Sequence, residues 1–589
     1  MTVPYCSALV LRPRAAAALA ALLIAVLPAT AHAGDPIMPL SQVTAGMHCT
    51  GYSVIRATDI SSFDVEVIDV LAGPDPQILV RVSGPAVDTT GIAEGFSGSP
   101  IKCDGGDGVL RTIGAIAQGT GDYGNKVVLA TPIETLLGEP VVPPAGARPM
   151  SAALKRRVRP LATPLTFGGV SGPVATALRT AGRRLGRAFY AAPAAPRVAG
   201  FPPQELQPGS SVAVGLSGGD ITAGAVGTVT YVDDGTVWAF GHPLDGAGRR
   251  SLLLQDAYVY TVINNPLDTE DSVSYKLAAP GHDLGTLTDD APAGVVGRLG
   301  ALPDRFPLRV TATDLDSGRI AHENVEIADE TSVGQPTGSS SLTQVGPVAV
   351  AQAAYNILRG SPARQSGSMC VRIAVREMPK PLRFCNTYVG GSPSTAGGPL
   401  VSDFASATAM IDAYNFAALH VTSADVNIKL RRELRQAFLM GASAPQVVRR
   451  GSDMKVKLLA QRVRGAMLTR TVRVHVPRSL TAGEHVLTLT GTPADGGGPS
   501  DGSDMADTFV VALGDESGSG DERGPTTLSA LARSFASVGR VDGVTASFRD
   551  PGDSDGNSAT AEVEVLDDPE LRFSGHLKLL VLVRPERRR

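Results

Sequence analysis

The stretch Gly95-Phe96-Ser97-Gly98-Ser99-Pro100-Ile101 holds a serine between two glycines. Glycine tolerates positive φ, so Gly95 and Gly98 permit a tight turn that exposes the Ser97 hydroxyl, and the backbone N–H groups of Gly95 and Ser97 can converge on a developing oxyanion. That is the chemistry of a serine nucleophile, and such a serine needs a general base. Of the 9 histidines, His242 stands out in Trp238-Ala239-Phe240-Gly241-His242-Pro243-Leu244, directly after a strand pattern and between Gly241 and Pro243. A barrel presents a base in this way. His48 and His282 are the fallback bases. A plain Gly-Ser turn and a structural histidine at a strand end would account for the same residues without any chemistry.

Loops of this type occur in serine peptidases with chymotrypsin-like barrels, and two blocks of the chain resemble the SpoIVB peptidase family, the sporulation stage IV protein B serine peptidases and their relatives. The first block runs through Phe63-Asp64-Val65-Glu66-Val67, Ile78-Leu79-Val80-Arg81 and Gly91-Ile92-Ala93-Glu94-Gly95-Phe96-Ser97-Gly98-Ser99-Pro100-Ile101. The second holds Gly227-Thr228-Val229-Thr230-Tyr231, Ala239-Phe240-Gly241-His242, Gly285-Thr286-Leu287 and Gly294-Val295-Val296-Gly297. The resemblance implies Ser97 as nucleophile, His242 as base, and a chymotrypsin-like double β-barrel in permuted order, because here the serine half precedes the histidine half. The family's acid sits in an Asp-Pro step before the serine turn, and the corresponding place reads Ser83-Gly84-Pro85. Asp88, nine residues before Ser97, is the substitute third member, with Asp245, three after His242, as a second candidate.

The implied function is that of an exported serine endopeptidase acting on a cell-envelope or secreted protein. The family includes self-processing enzymes, which makes the chain's own Pro, Ala and Arg-rich connector a further candidate substrate. The alternative is a catalytically inactive peptidase-fold scaffold or surface binding protein that works through its C-terminal β domains. The unmatched Asp-Pro step favours it.

These residues must be positioned by a large, turn-rich framework. The chain has 589 residues, enough for about four domains, and its 66 Gly and 43 Pro point to mainly β structure with many turns. With 53 basic against 57 acidic residues it carries no basic footprint for nucleic acid. Arg12 and Arg14 precede the thirteen-residue apolar run Ala15 to Leu27, and Ala31-His32-Ala33 follows. That is a secretory signal peptide cleaved after Ala33, too short to span a membrane, and it predicts a secreted, periplasmic or cell-envelope protein.

Cys6 leaves with the leader, and Cys49, Cys103, Cys370 and Cys385 then read as two disulfides in an oxidising compartment. Four cysteines allow three pairings. Cys370 and Cys385 flank a Glu377-Met378-Pro379 turn symmetrically, which pairs them across a hairpin and leaves Cys49 with Cys103. No CxxC spacing occurs, so no metal and no cofactor is expected. Asp553-Ser554-Asp555-Gly556 with Glu562 has only partial EF-hand spacing.

The patterning divides the chain into the leader (1–33), a nucleophile-bearing β unit (34–139), a Pro/Ala/Arg-rich connector with one helix (140–208) and a histidine-bearing β unit (209–335). A helix, disulfide hairpin and helix (336–416), a β-sandwich-like domain (417–513) and a C-terminal α+β segment (514–589) follow.

Overall fold

Alternation decides the first unit: along Phe63-Asp64-Val65-Glu66-Val67 the three apolar side chains are buried and the acids between them face outward. In the computed structural model this stretch is one strand of a mainly β protein. The structure describes residues 34–585 except 122, 162–163, 194–199, 266–272, 332–338, 361, 363, 391–397, 492–504, 515–523, 539–542, 553–558 and 569. The expected leader and its cleavage site, and Asp553 to Gly556, lie outside the described residues.

The strands β1 (His48–Arg56), β2 (Asp59–Ala72), β3 (Gln77–Ser83), β4 (Pro100–Asp104), β5 (Leu110–Gly119) and β6 (Val127–Pro132) form a closed antiparallel barrel. Around the ring the order is β1-β2-β3-β6-β5-β4 and back to β1. Closure removes the exposed edges of an open sheet, and Phe63, Val65, Val67, Ile78, Val80 and Ile116 fill the interior. Two-residue strands β7 (Arg148–Pro149) and β8 (Arg159–Pro160) attach to β2 and β5.

The connector is less of a linker than its composition suggests. Its part from β9 (Leu165–Gly168) through the helix Gly172–Arg184 to β10 (Phe189–Ala191) is built into the second unit, β9 pairing with a barrel strand. The reason is apolar surface: Leu165, Phe167, Val174, Leu178 and Phe189 all enter the large core.

In the second unit β11 (Ser211–Gly219), β12 (Thr222–Asp233), β13 (Thr236–Ala239), β14 (Gly248–Ile263), β15 (Tyr275–Ala291) and β16 (Gly294–Leu299) pair in the order β11-β12-β13-β16-β15-β14, with β14 returning to β11. The sequence shows no internal repeat, yet both rings close in the same order. Val54, Ala213, Val226, Ala257, Val259 and Ala278 pack between the two units, and Ala57 and Val259 exchange backbone hydrogen bonds of 2.6 and 3.0 Å.

Beyond the ring the same sheet continues through β17 (Arg305–Asp314), β18 (Ile320–Ala328), β19 (Gln365–Val375), β20 (Leu382–Gly390) and β21 (Val421–Arg431). The sheet runs across the divisions drawn at 336 and 417. The cysteine hairpin β19–β20 is a sheet edge, and β21 pairs with β17 and β19 rather than starting the sandwich. A helix from Ser341 to Leu358, almost wholly buried, covers this sheet. It begins six residues before Pro347, which lies inside it, because Ser340 caps it through the Thr343 N–H.

Across the division drawn at 513 and 514, Gly483–Gly491 pairs with both Val544–Arg549 and His576–Arg584, so strands of the last segment share a sheet with the sandwich. Alternation marks a strand and its buried face, but the sequence between these strands carries no sign of which of them meet. Among the described residues no helix is long and apolar enough to cross a membrane.

Both disulfides join facing strands, Cys49 to Cys103 across β1 and β4, and Cys370 to Cys385 across β19 and β20. The first closes a 54-residue separation beside the serine turn. Replacing Cys49 and Cys103 by alanine is expected to lower unfolding stability by about 2–4 kcal/mol, read from denaturant midpoints of the oxidised parent and the double variant.

Candidate active site

Ser97 lies in the connection from β3 to β4, and His242 in the connection from β13 to β14. Each therefore occupies the link after the third strand of its own ring. The two connections meet at the barrel interface, where Ser97 O accepts from the Thr228 N–H at 2.8 Å and Thr228 O accepts from the Phe240 N–H at 3.2 Å. Gly98 packs so closely on Thr228 and Phe240 that a Cβ there would strike their backbones, and its φ of +88° also calls for glycine. The Gly98 N–H donates to Ile116 O at 2.8 Å, and the Thr131 hydroxyl donates to Gly241 O at 2.8 Å. Thus β5 and β6 of the first ring brace both loops.

Phe240 has φ +71°, a left-handed conformation that costs a bulky residue about 1–3 kcal/mol and is held only where the surroundings impose it. Gly241 follows at φ +69°. This doubly left-handed step turns the chain sharply off β13 and swings His242 back to the interface. The imidazole Nδ1 lies 2.7 Å from Pro243 O, a contact only a protonated Nδ1 can make. Nε2 is then the bare, proton-accepting nitrogen. Burial pushes the His242 pKa below its usual 6.5, opposed by the Pro243 hydrogen bond and the Asp290 charge.

Ser97 is 0% exposed and His242 6%, and the Ser97 Oγ and His242 Nε2 atoms each lack a hydrogen-bond partner among the described residues. The N–H groups of Gly95 and Ser97 also have no acceptor there, whereas their neighbours Phe96, Gly98 and Ser99 are all bonded within the fold. Two backbone donors and a serine hydroxyl thus stand unused on one turn.

The acid is where the structure departs from the sequence reading. Asp88 is a surface residue whose carboxylate takes the Gly84 N–H at 3.2 Å and Lys126 at 3.3 Å. Asp245 is half-exposed and lies 3.4 Å from Arg250. The carboxylate whose charge reaches His242 belongs to Asp290, at the end of β15. It is buried and accepts from the N–H groups of Leu244 at 2.7 Å, Asp245 at 2.8 Å and Ala247 at 3.1 Å. It therefore clamps the loop that carries His242 and Pro243. The only local trace in the sequence is the pair Asp289-Asp290 before a turn.

Of the fallback bases, His282 is tied to the buried Asp256 at 3.0 Å and packs on Phe201, far along β15 from the serine turn. His48 opens β1 on the surface. Tyr190 of β10 lies over the Glu94 side of the turn, donating to the Glu94 carboxylate at 3.0 Å and stacking on Tyr275 at 3.7 Å. No protein-family model, curated protein or solved structure matches the chain.

Proposed function

We propose that the protein is an exported serine endopeptidase with a permuted, chymotrypsin-like pair of barrels. One observation carries the reading. Ser97 and His242 occupy the same connection of two rings closed in the same order, and these connections are packed together at the ring interface.

In this reading Ser97 Oγ attacks a peptide carbonyl while His242 Nε2 takes the hydroxyl proton. The negative oxygen of the tetrahedral species is received by the N–H groups of Gly95 and Ser97. The imidazolium returns the proton to the leaving amine, and water then releases the acyl group by the same route. Asp290 positions the base through the loop and offsets the imidazolium charge. The substrate is a protein or peptide of the envelope or the secreted pool. Within the chain itself the candidate target is the exposed helix Ala152–Arg157 and its surroundings.

The enclosure of Ser97 and the missing Ser97–His242 hydrogen bond favour a second reading, in which the barrels are a scaffold and the sandwich binds a surface. Incubation of the mature protein with an unfolded secreted protein decides between them by mass spectrometry of the products. The peptidase reading expects fragments that disappear with Ser97→Ala. A scaffold gives no fragments, or fragments that persist in that variant.

A further inference from the structure

Lys276, on β15, is fully enclosed, and among the described residues its ammonium has no carboxylate partner. Its Nζ donates to Ser53 Oγ of β1 at 2.8 Å and to Thr228 Oγ1 of β12 at 3.1 Å, and it stands 4.7 Å from the centre of the Phe96 ring. Three N–H donors thus meet two hydroxyls and one aromatic face, an arrangement matched to the protonated amine. An unpaired buried charge is costly to keep, so its position directly behind the serine turn calls for a reason.

The hydrogen bonds give one. Thr228 Oγ1 donates to Gly95 O at 3.0 Å. Ser99 Oγ lies 3.1 Å from Ser53 Oγ and 2.6 Å from Phe96 O. The Ser99 hydroxyl donates towards both Ser53 Oγ and Phe96 O, and Ser53 Oγ, which also accepts from Lys276, lies 3.2 Å from Thr228 Oγ1, so one hydroxyl network joins the ammonium to Phe96 O. The relay ends on the peptide unit whose other end is the Ser97 N–H. The companion unit is held by the same residue, because the Lys276 backbone N–H donates to Glu94 O at 2.9 Å, and that peptide carries the Gly95 N–H. A Cβ at Gly95 would press on the Lys276 stem, which adds to the need for glycine there.

We propose that Lys276 is the positioning residue of the oxyanion hole, fixing through its main chain and its ammonium relay the two peptide planes whose N–H groups receive the substrate's oxyanion. The inference rests on Ser97 being the nucleophile. A hydrogen bond accepted by an amide carbonyl polarises the N–H at its other end, so the relay strengthens the donors as well as orienting them.

Burial alone brings Lys276 down to about 7. The groups facing its Nζ from β1, β12 and the turn are the Ser53 and Thr228 hydroxyls and the Phe96 ring. The titratable groups beside it, Glu94 on the turn and Tyr275 on its own strand, are engaged by Tyr190. Deprotonation as pH rises through about 7 removes the charge from the relay. The alkaline limb of the activity profile therefore belongs to Lys276 and the acid limb to His242.

The test is the rate of labelling by an alkyl fluorophosphonate across pH 5–10, with Ser97→Ala as blank and saturation separating the maximal inactivation rate from the apparent affinity. Lys276→Met should lower the maximal rate about 10- to 100-fold, below the full cost of a lost oxyanion donor, leave the affinity unchanged and abolish the alkaline fall. The variant should fold, since removing the buried amine relieves a penalty that is complete below pH 7 and fades towards 10.5. If it does not fold, Ser99→Ala interrupts the relay at Phe96 O, on the peptide unit that carries the Ser97 N–H, and is read in the same way. Wild-type labelling with an unchanged rate and pH profile in the variant overturns the role of Lys276 and leaves Ser97 standing. Absence of wild-type labelling overturns both.

Discussion

His242→Ala is expected to lower the peptide-cleavage or labelling rate by about 10⁴- to 10⁶-fold while leaving the fold intact. The expectation follows from the tautomer. With Nδ1 protonated and held 2.7 Å from Pro243 O, Nε2 is the only proton acceptor the loop offers to Ser97. An unassisted serine hydroxyl is a poor nucleophile near neutral pH, so removing the base removes most of the rate. The side chain is buried at the end of a strained turn, and its loss leaves a small void but no orphaned charge. The same geometry sets the acid limb. Because burial depresses the His242 pKa below 6.5, protonation silences Nε2 only as pH falls below that value, and activity should persist further into acid than an exposed histidine allows. A midpoint above 6.5 would contradict this.

Asp290→Asn comes next, with an expected loss of about 10²- to 10⁴-fold, measured as the maximal rate with the fold checked by circular dichroism. The carboxylate receives three converging N–H groups from Leu244, Asp245 and Ala247. An amide turns one of its two acceptor positions into a donor that faces those hydrogens, so at least one buried N–H is left unpaired and the loop shifts. Pro243 O moves with it, and with Pro243 O goes the hydrogen bond that fixes the imidazole. The imidazolium formed during catalysis also loses its nearby negative charge. Asp88→Asn, by contrast, should change the rate by less than about 2-fold, since that side chain sits in solvent beside Lys126 with only a weak surface ion pair to lose.

The contrast between Asp88 and Asp290 shows where the sequence stops being legible. The serine turn was readable because the constraint is local: Gly95 and Gly98 sit at φ +90° and +88° within four residues of chain. The histidine loop was readable for the same reason. The strands of the first ring followed from two-residue alternation, and the cysteine hairpin from its symmetric turn. Asp290 reaches His242 only because β15 runs back beside β14 and β16, a pairing that no short window encodes. Lys276 was hidden likewise, since a single lysine in a strand ordinarily reads as a solvated face, and its burial arises from the contact of two rings.

The strand pairings that close the rings and complete the sandwich were not legible for a related reason. Both depend on partners far apart in the chain, as when Gly483–Gly491 takes His576–Arg584 as neighbour. The helix of the connector was legible, but its Pro, Ala and Arg gave no sign that Val174, Leu178 and Ala181 belong to the main core. Composition averages over faces, and burial does not.

Fluorophosphonate labelling of the folded protein, followed by mapping of the modified peptide, tests directly whether Ser97 is an activated nucleophile with His242 as its base. The account predicts a single adduct on Ser97, absent in Ser97→Ala and reduced to the blank in His242→Ala. An adduct on another serine, labelling indifferent to His242, or no adduct on well-folded protein would contradict it.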